Sequence, residues 1–107
     1  MTQFDNREKA AENKFSHDKE LEFKATARRN KLLGQWAAGL MGMDGEAVNA
    51  YAREVIESDF EETGDDDVYR KVKADLDKAG ANQSEHHIRR QMEDLLNTAI
   101  AQIKSEI

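Results

Sequence analysis

Apolar positions recur at helical spacing along most of the chain. From Ala47 to Phe60, the residues Val48, Tyr51, Ala52, Val55, Ile56 and Phe60 fall on one stripe, while Arg53, Glu54, Glu57 and Asp59 fall elsewhere. From Asp66 to Ala79 the stripe is Val68, Tyr69, Val72, Leu76 and Ala79, and from Glu85 onward it is Ile88, Met92, Leu95, Leu96, Ala99, Ile100 and Ile103. An earlier stretch, from about Glu20 to Met41, carries Leu21, Ala25, Leu32, Trp36 and Leu40 at near fourfold spacing, with Leu33 and Ala37 widening the stripe. The punctuation agrees with this division. Gly42, Gly64 and Gly80 each follow a periodic run and suit a left-handed cap. Asp44, Asp65 and Ser84 are well placed as N-caps, with Glu46, Asp66, Asp67 and Glu85 behind them at the positive ends of the helix dipoles. The pattern predicts an all-α, four-helix bundle over residues 19–107, with helices at about 20–41, 45–62, 66–79 and 85–105. Gly34 and Gly39 interrupt the first helix, each costing about 1 kcal/mol against alanine. Close approach of a neighbouring helix is the preferred reason for them, a hinge the other.

Residues 1–18 read differently. They are helix-compatible, with a capping-box pattern at Asp5 and Glu8, but their apolar face is only Phe4, Ala11 and Phe15. Steps of seven and eleven residues keep those three roughly aligned on a helix. So thin a stripe leaves an isolated helix marginal in water, and the segment is expected to be a mobile arm that frays when free and orders when a partner covers the phenylalanines. An inert extension of the first bundle helix is the competing reading.

Composition narrows the functional classes. The chain has 107 residues, room for one domain and a modest core. It has no proline, charged residues make up 36% and hydrophobic ones 38%, and no apolar run approaches a membrane span. The opening residues lack a secretory apolar stretch, and acids from Asp5 on argue against a transit peptide, so a cytoplasmic location is expected. The absence of cysteine excludes disulfides, thiol catalysis and thiolate metal sites. A net charge of −6 disfavours nucleic acid as a partner.

Motifs for chemistry are weak. His86 and His87 are adjacent, so on a helix they diverge by about 100° and cannot form the i, i+4 pair of a helical zinc site. The acidic run from Asp59 to Asp67 has Gly64 in the sixth position of a calcium loop, but Arg70 stands in the twelfth where a bidentate glutamate is required. Helix capping explains those acids better. Gly34 and Gly39 are followed by Leu40 and Met41 rather than the lysine and hydroxyl of a phosphate loop. No catalytic residue and no metal ligand is therefore assigned. His17 offers a pH-responsive group in the arm, although a lone exposed histidine usually has no role. The one concentrated basic cluster is Arg28, Arg29 and Lys31, read either as a solvated helix face paired with Glu22 and similar neighbours or as a docking or phosphate contact.

Longer stretches carry a resemblance. Phe4-Asp5-Asn6-Arg7-Glu8, Lys14-Phe15, His17-Asp18 and ATARRNKLLGQWAA from Ala25 to Ala38 resemble the N-terminal half of the ATP synthase zeta-subunit family of alphaproteobacteria. Tyr51-Ala52-Arg53-Glu54-Val55, DFEETGDDDVYRKV from Asp59 to Val72, Ser84-Glu85, Ile88-Arg89 and Leu95-Leu96 follow in the family's order. The resemblance implies a regulator rather than an enzyme, peripheral on the inner-membrane ATP synthase. It implies an inhibitor of ATP hydrolysis whose N-terminal arm enters an interface between an α and a β subunit near the γ stalk. The arm positions it assigns here are Phe4, Asp5, Arg7, Glu8, Lys14, Phe15 and Asp18, with Ala11 on the same stripe. Arg28, Arg29 and Lys31 lie where bundle and arm meet. No cofactor is implied. The runner-up is a nucleotide-sensing bundle binding ATP or ADP weakly, with Arg28, Arg29 and Lys31 on phosphates and Trp36 or Tyr51 near the base.

Overall fold

The computed structural model describes the backbone of residues 2–59 and 64–106 and the side chains of residues 19–59 and 64–106. Four α-helices follow in order: α1 (Thr2–Leu40), α2 (Glu46–Ser58), α3 (Asp66–Lys78) and α4 (Glu85–Glu106), with no strand among the described residues. The architecture is the all-α four-helix bundle that the periodicity predicts. Phe60, expected on the α2 stripe, lies outside the described residues.

The first helix is longer than its apolar periodicity suggests. Arm and first bundle helix form one element of 39 residues, about 58 Å at 1.5 Å per residue. Its continuity has a simple chemical basis, because the chain has no proline and its first glycine is Gly34. α1 packs mainly against α2 and α4.

The core is small and mostly aliphatic: Leu33, Ala37 and Ala38 of α1, Tyr51 and Val55 of α2, Val68, Val72 and Leu76 of α3, and Ile88 and Met92 of α4. Ala25 and Ala52 are also buried. Of the stripe expected on α1, Ala25, Leu33 and Ala37 are buried, on one line with Arg29, whereas Leu32 and Trp36 are displaced to its flank and Leu40 is exposed. Ala79, expected on the α3 stripe, is exposed as well. Gly34 supplies the reason for the displacement on α1. A Cβ built there would stand 2.6 Å from the Cα of Ala52, so α1 and α2 cross with their backbones nearly touching. The neighbouring-helix reading holds at Gly34. At Gly39 it does not, since a Cβ there meets nothing within 4 Å.

The helix ends follow the glycine punctuation. At the end of α3, Gly80 takes a φ of 76°, its N–H donates to Asp77 O at 3.1 Å, and the Ala81 N–H donates to Leu76 O at 2.9 Å. This is a Schellman closure, and Ala81 packs back on the core as that motif favours. The N-terminal ends differ from expectation in two of three cases. The residue before α2 is Gly45 rather than Asp44, and it offers no side-chain cap. Asp65 precedes α3 as expected, but its carboxylate makes no cap bond because it turns to another helix. Ser84 caps α4 in the expected way, its Oγ accepting from the His87 N–H at 3.0 Å.

Candidate functional site

The arm positions Phe4, Asp5, Arg7, Glu8, Ala11, Lys14, Phe15 and Asp18 belong to the N-terminal part of α1, and their side chains lie outside the described residues. The described part of the site begins where α1 enters the bundle, at the basic cluster, and the three cations there have different surroundings.

Arg29 is an internal residue, 2% exposed. Its Nε donates to Asn30 Oδ1 at 2.7 Å and one terminal nitrogen to Asp65 Oδ1 at 2.8 Å. Asn30, equally buried, donates through Nδ2 to Asp59 Oδ2 at 3.0 Å. The two adjacent polar residues of α1 thus tie down both ends of the connection between α2 and α3. No buried side-chain nitrogen or oxygen among the described residues is left without a partner, as a stable internal polar network requires. The solvated-face reading of this cluster fails at Arg29.

Arg28 is half-buried and reaches the last turn of α4, donating to Gln102 Oε1 at 2.8 Å and to Glu106 Oε1 at 2.9 Å. Lys31 is exposed.

The described acids of the 59–67 run are each engaged, Asp59 and Asp65 within this network. Asp65 holds Arg29, Asp66 meets Arg89 at 3.1 Å, and the buried Asp67 accepts from the Val68 N–H at 2.8 Å. Burial raises the Asp59 carboxyl above its ordinary value; the Asn30 hydrogen bond opposes this, the Asp67 charge adds to it, and Arg29 and Asp65 act weakly in opposite senses. Among the described residues no three His, Asp or Glu side chains gather as a metal cage.

The residues considered for a nucleotide base are engaged elsewhere. Trp36 stacks on His87 with centroids 5.9 Å apart and planes 12° from parallel. Tyr51 is buried and donates its hydroxyl to Asp75 Oδ2 at 2.8 Å. Burial, and then the Asp75 contact, push its phenol far above the ordinary range. Lys71 lies 5.3 Å over the Tyr51 ring and bridges Asp75 and Glu54. Burial pulls its ammonium down, but the hydrogen bonds to Asp75 and Glu54 outweigh this and leave it raised.

Among the described residues, two clefts flank α1. One, of about 460 Å³, is walled by Leu21, Ala25, Leu96 and Ile100, with Arg29 and Asp65 at its edge. The other, of about 510 Å³, lies beside Phe23 between α1, Ile56 of α2 and Ile103 of α4.

The model of one family, ATPase inhibitor subunit zeta, matches residues 1–102. The chain belongs to this family. A structure solved by solution NMR is 47% identical, with a TM-score of 0.73, over 81% of this chain and 99% of that one. No curated protein matches. The resemblance read from the sequence is thereby shown, and the zeta-family assignment makes the chain an ATPase inhibitor, a regulator associated with the ATP synthase. Among the described residues no helix is long and apolar enough to cross a membrane.

Sequence reasoning missed the partners of Arg29. Asn30, Asp59 and Asp65 form the lock, and one signal for it was available: Arg29 falls four residues after Ala25 and four before Leu33, inside a buried line.

Proposed function

We propose that the chain inhibits ATP hydrolysis by the F-type ATP synthase by inserting the N-terminal part of α1 at an α/β catalytic interface near the γ stalk. Rotation in the hydrolytic direction is thereby blocked. The observation that carries this reading is the disparity in helix length. α1 has 39 residues and the longest of the other helices, α4, has 22. The bundle thus carries α1 well past the reach of any partner helix, on a segment where the sequence sets Phe4, Ala11 and Phe15 on one stripe.

The phenylalanines serve as buried anchors at the interface, while Asp5, Arg7, Glu8, Lys14 and Asp18 set orientation. With so thin a stripe the arm's helix is marginal by itself in the free chain and becomes firm when covered. The site of action is the cytoplasmic side of the inner membrane, with the chain held peripherally on the enzyme. The test is ATP hydrolysis by the isolated cognate catalytic head, with and without the full-length chain and a variant lacking residues 1–18. Full-length chain should lower hydrolysis and the truncated chain should not. Unchanged hydrolysis at high excess of full-length chain defeats the proposal.

A further inference from the structure

Phe23 is the most exposed large apolar side chain among the described residues, at 69%. It stands eight positions after Phe15 on the same helix, beside the cleft whose floor includes Ile56 and Ile103. A solvated phenylalanine at the lip of an apolar cleft forgoes the stabilisation that burial would bring, and no described residue of the bundle reaches over to cover it. The rim of that cleft is basic. Lys24 and Lys31 are exposed on it, and Arg28 stands between them. Arg28 is matched by Glu106, and Lys24 approaches Glu20 only at 3.9 Å with both side chains largely solvated, a weak pair. Lys31 has no ion-pair partner among the described residues. In a chain of net charge −6, this is a local positive surplus around an apolar recess.

We infer that Phe23, with Lys24 and Lys31, forms a second docking patch that binds an acidic, apolar-studded surface of the same ATPase, adjoining the arm's own contact. The inference rests on the inhibitory reading above and deepens it. The arm and the patch share one uninterrupted helix, so a partner that grips the arm is brought against Phe23 with little further loss of freedom. A second copy of the chain is the poorer occupant, because a two-fold pairing sets this basic rim against itself. The apolar centre supplies affinity and the lysines supply orientation and rate of encounter.

Three full-length proteins decide it: wild type, Phe23→Ser, and the double variant Lys24→Glu with Lys31→Glu. Each is titrated against ATP hydrolysis by the cognate catalytic head at low and high salt, and each is melted alone. The expected result is inhibition weakened about tenfold by either change, an unchanged melting temperature, and a charge-variant deficit that shrinks in high salt. Inhibition by both variants equal to that of wild type overturns the patch while leaving the inhibitory reading in place. Failure of the wild type to inhibit overturns that reading, and the patch falls with it. A lowered melting temperature in both variants makes the patch a structural feature and overturns the inference. Sedimentation showing a wild-type dimer that Phe23→Ser dissociates assigns the patch to self-association and overturns it equally.

Discussion

The Cα of Ala52 lies 2.6 Å from where a methyl group on Gly34 would sit. That distance is shorter than two carbon atoms tolerate, and the atom in the way is backbone, which cannot rotate aside. Gly34→Ala must therefore part α1 from α2 along the seam that buries Leu33, Ala37 and Val55. Overpacking of this kind costs about 1 to 3 kcal/mol, and improved helix propensity returns only about 1 kcal/mol. Gly39→Ala meets nothing and should gain that propensity term outright. Urea unfolding of the two variants should shift the midpoint in opposite directions, and a stabilised Gly34→Ala protein would refute the close crossing.

Removing Arg29 should be among the more damaging single changes in the bundle. Arg29→Ala leaves Asn30 Oδ1 without its donor and Asp65 without its cation, and truncating one partner of a buried pair costs about 3 to 5 kcal/mol. Asp65 is half exposed, which places the expectation at the lower end. Arg29→Lys should recover little, since an ammonium cannot direct one N–H along the helix to Asn30 and another across to Asp65. Equal stability of wild type and Arg29→Lys by equilibrium unfolding would show that charge alone matters there.

Asp59 gives the bundle a pH dependence with a definite sign. Its carboxyl is raised by burial, so the folded chain holds that proton more tightly than the unfolded chain does. The contribution of this group is fully present below its unfolded value and is lost as pH rises through the raised folded value. An Asp59→Asn variant is neutral throughout and keeps an oxygen for Asn30. It should melt above the wild type at pH 7, and the gap should close as pH falls below about 4, the ordinary aspartate range. A gap that widens in acid would mean that the Arg29 attraction outweighs burial.

Within the arm, Phe15→Ala should weaken inhibition by about tenfold to a hundredfold, because covering a phenylalanine contributes about 1.5 to 3 kcal/mol and each 1.4 kcal/mol is tenfold in affinity. The stability of the free chain should hardly change. A loss of several kcal/mol in the free protein would place Phe15 in a core and return the arm to a structural role.

The helices and their order were legible from periodicity because α2, α3 and α4 each bury one face and solvate the other. Val55, Val72, Leu76, Ile88 and Met92 all lie where the stripes set them. α1 was read in part: Ala25, Leu33, Ala37 and the close approach at Gly34 were legible, but the large residues Leu32, Trp36 and Leu40 dominate a hydrophobicity pattern and drew its centre away from a contact face that also includes Ala38. A backbone crossing favours small side chains, which carry little hydropathic signal. The Arg29 lock was only faintly legible for a related reason: an arginine in a buried line looks like a surface residue until its partner Asp65, 36 positions onward, and Asp59, 29 positions beyond its own partner Asn30, are brought to α1 by the fold. The arm's likeness to a family was legible because it lies in an ordered string of residues spanning nearly the whole chain, not in any local chemistry.

A rod held fast at one end is a cantilever, and α1 has that construction. Its C-terminal half is clamped by a close-packed crossing at Gly34, by the guanidinium lock at Arg29 and by the Arg28 tether to the end of α4. Its N-terminal half continues without a glycine or proline to bend at. Once a partner has made the arm firm, side load applied near Phe4 is delivered as a bending moment at the clamp, where many packed side chains share it, rather than as a pull on one bond. Under the mechanism proposed above, a flexible tether of equal length would yield to a turning shaft, whereas an arm made firm by its partner passes the load to the clamp.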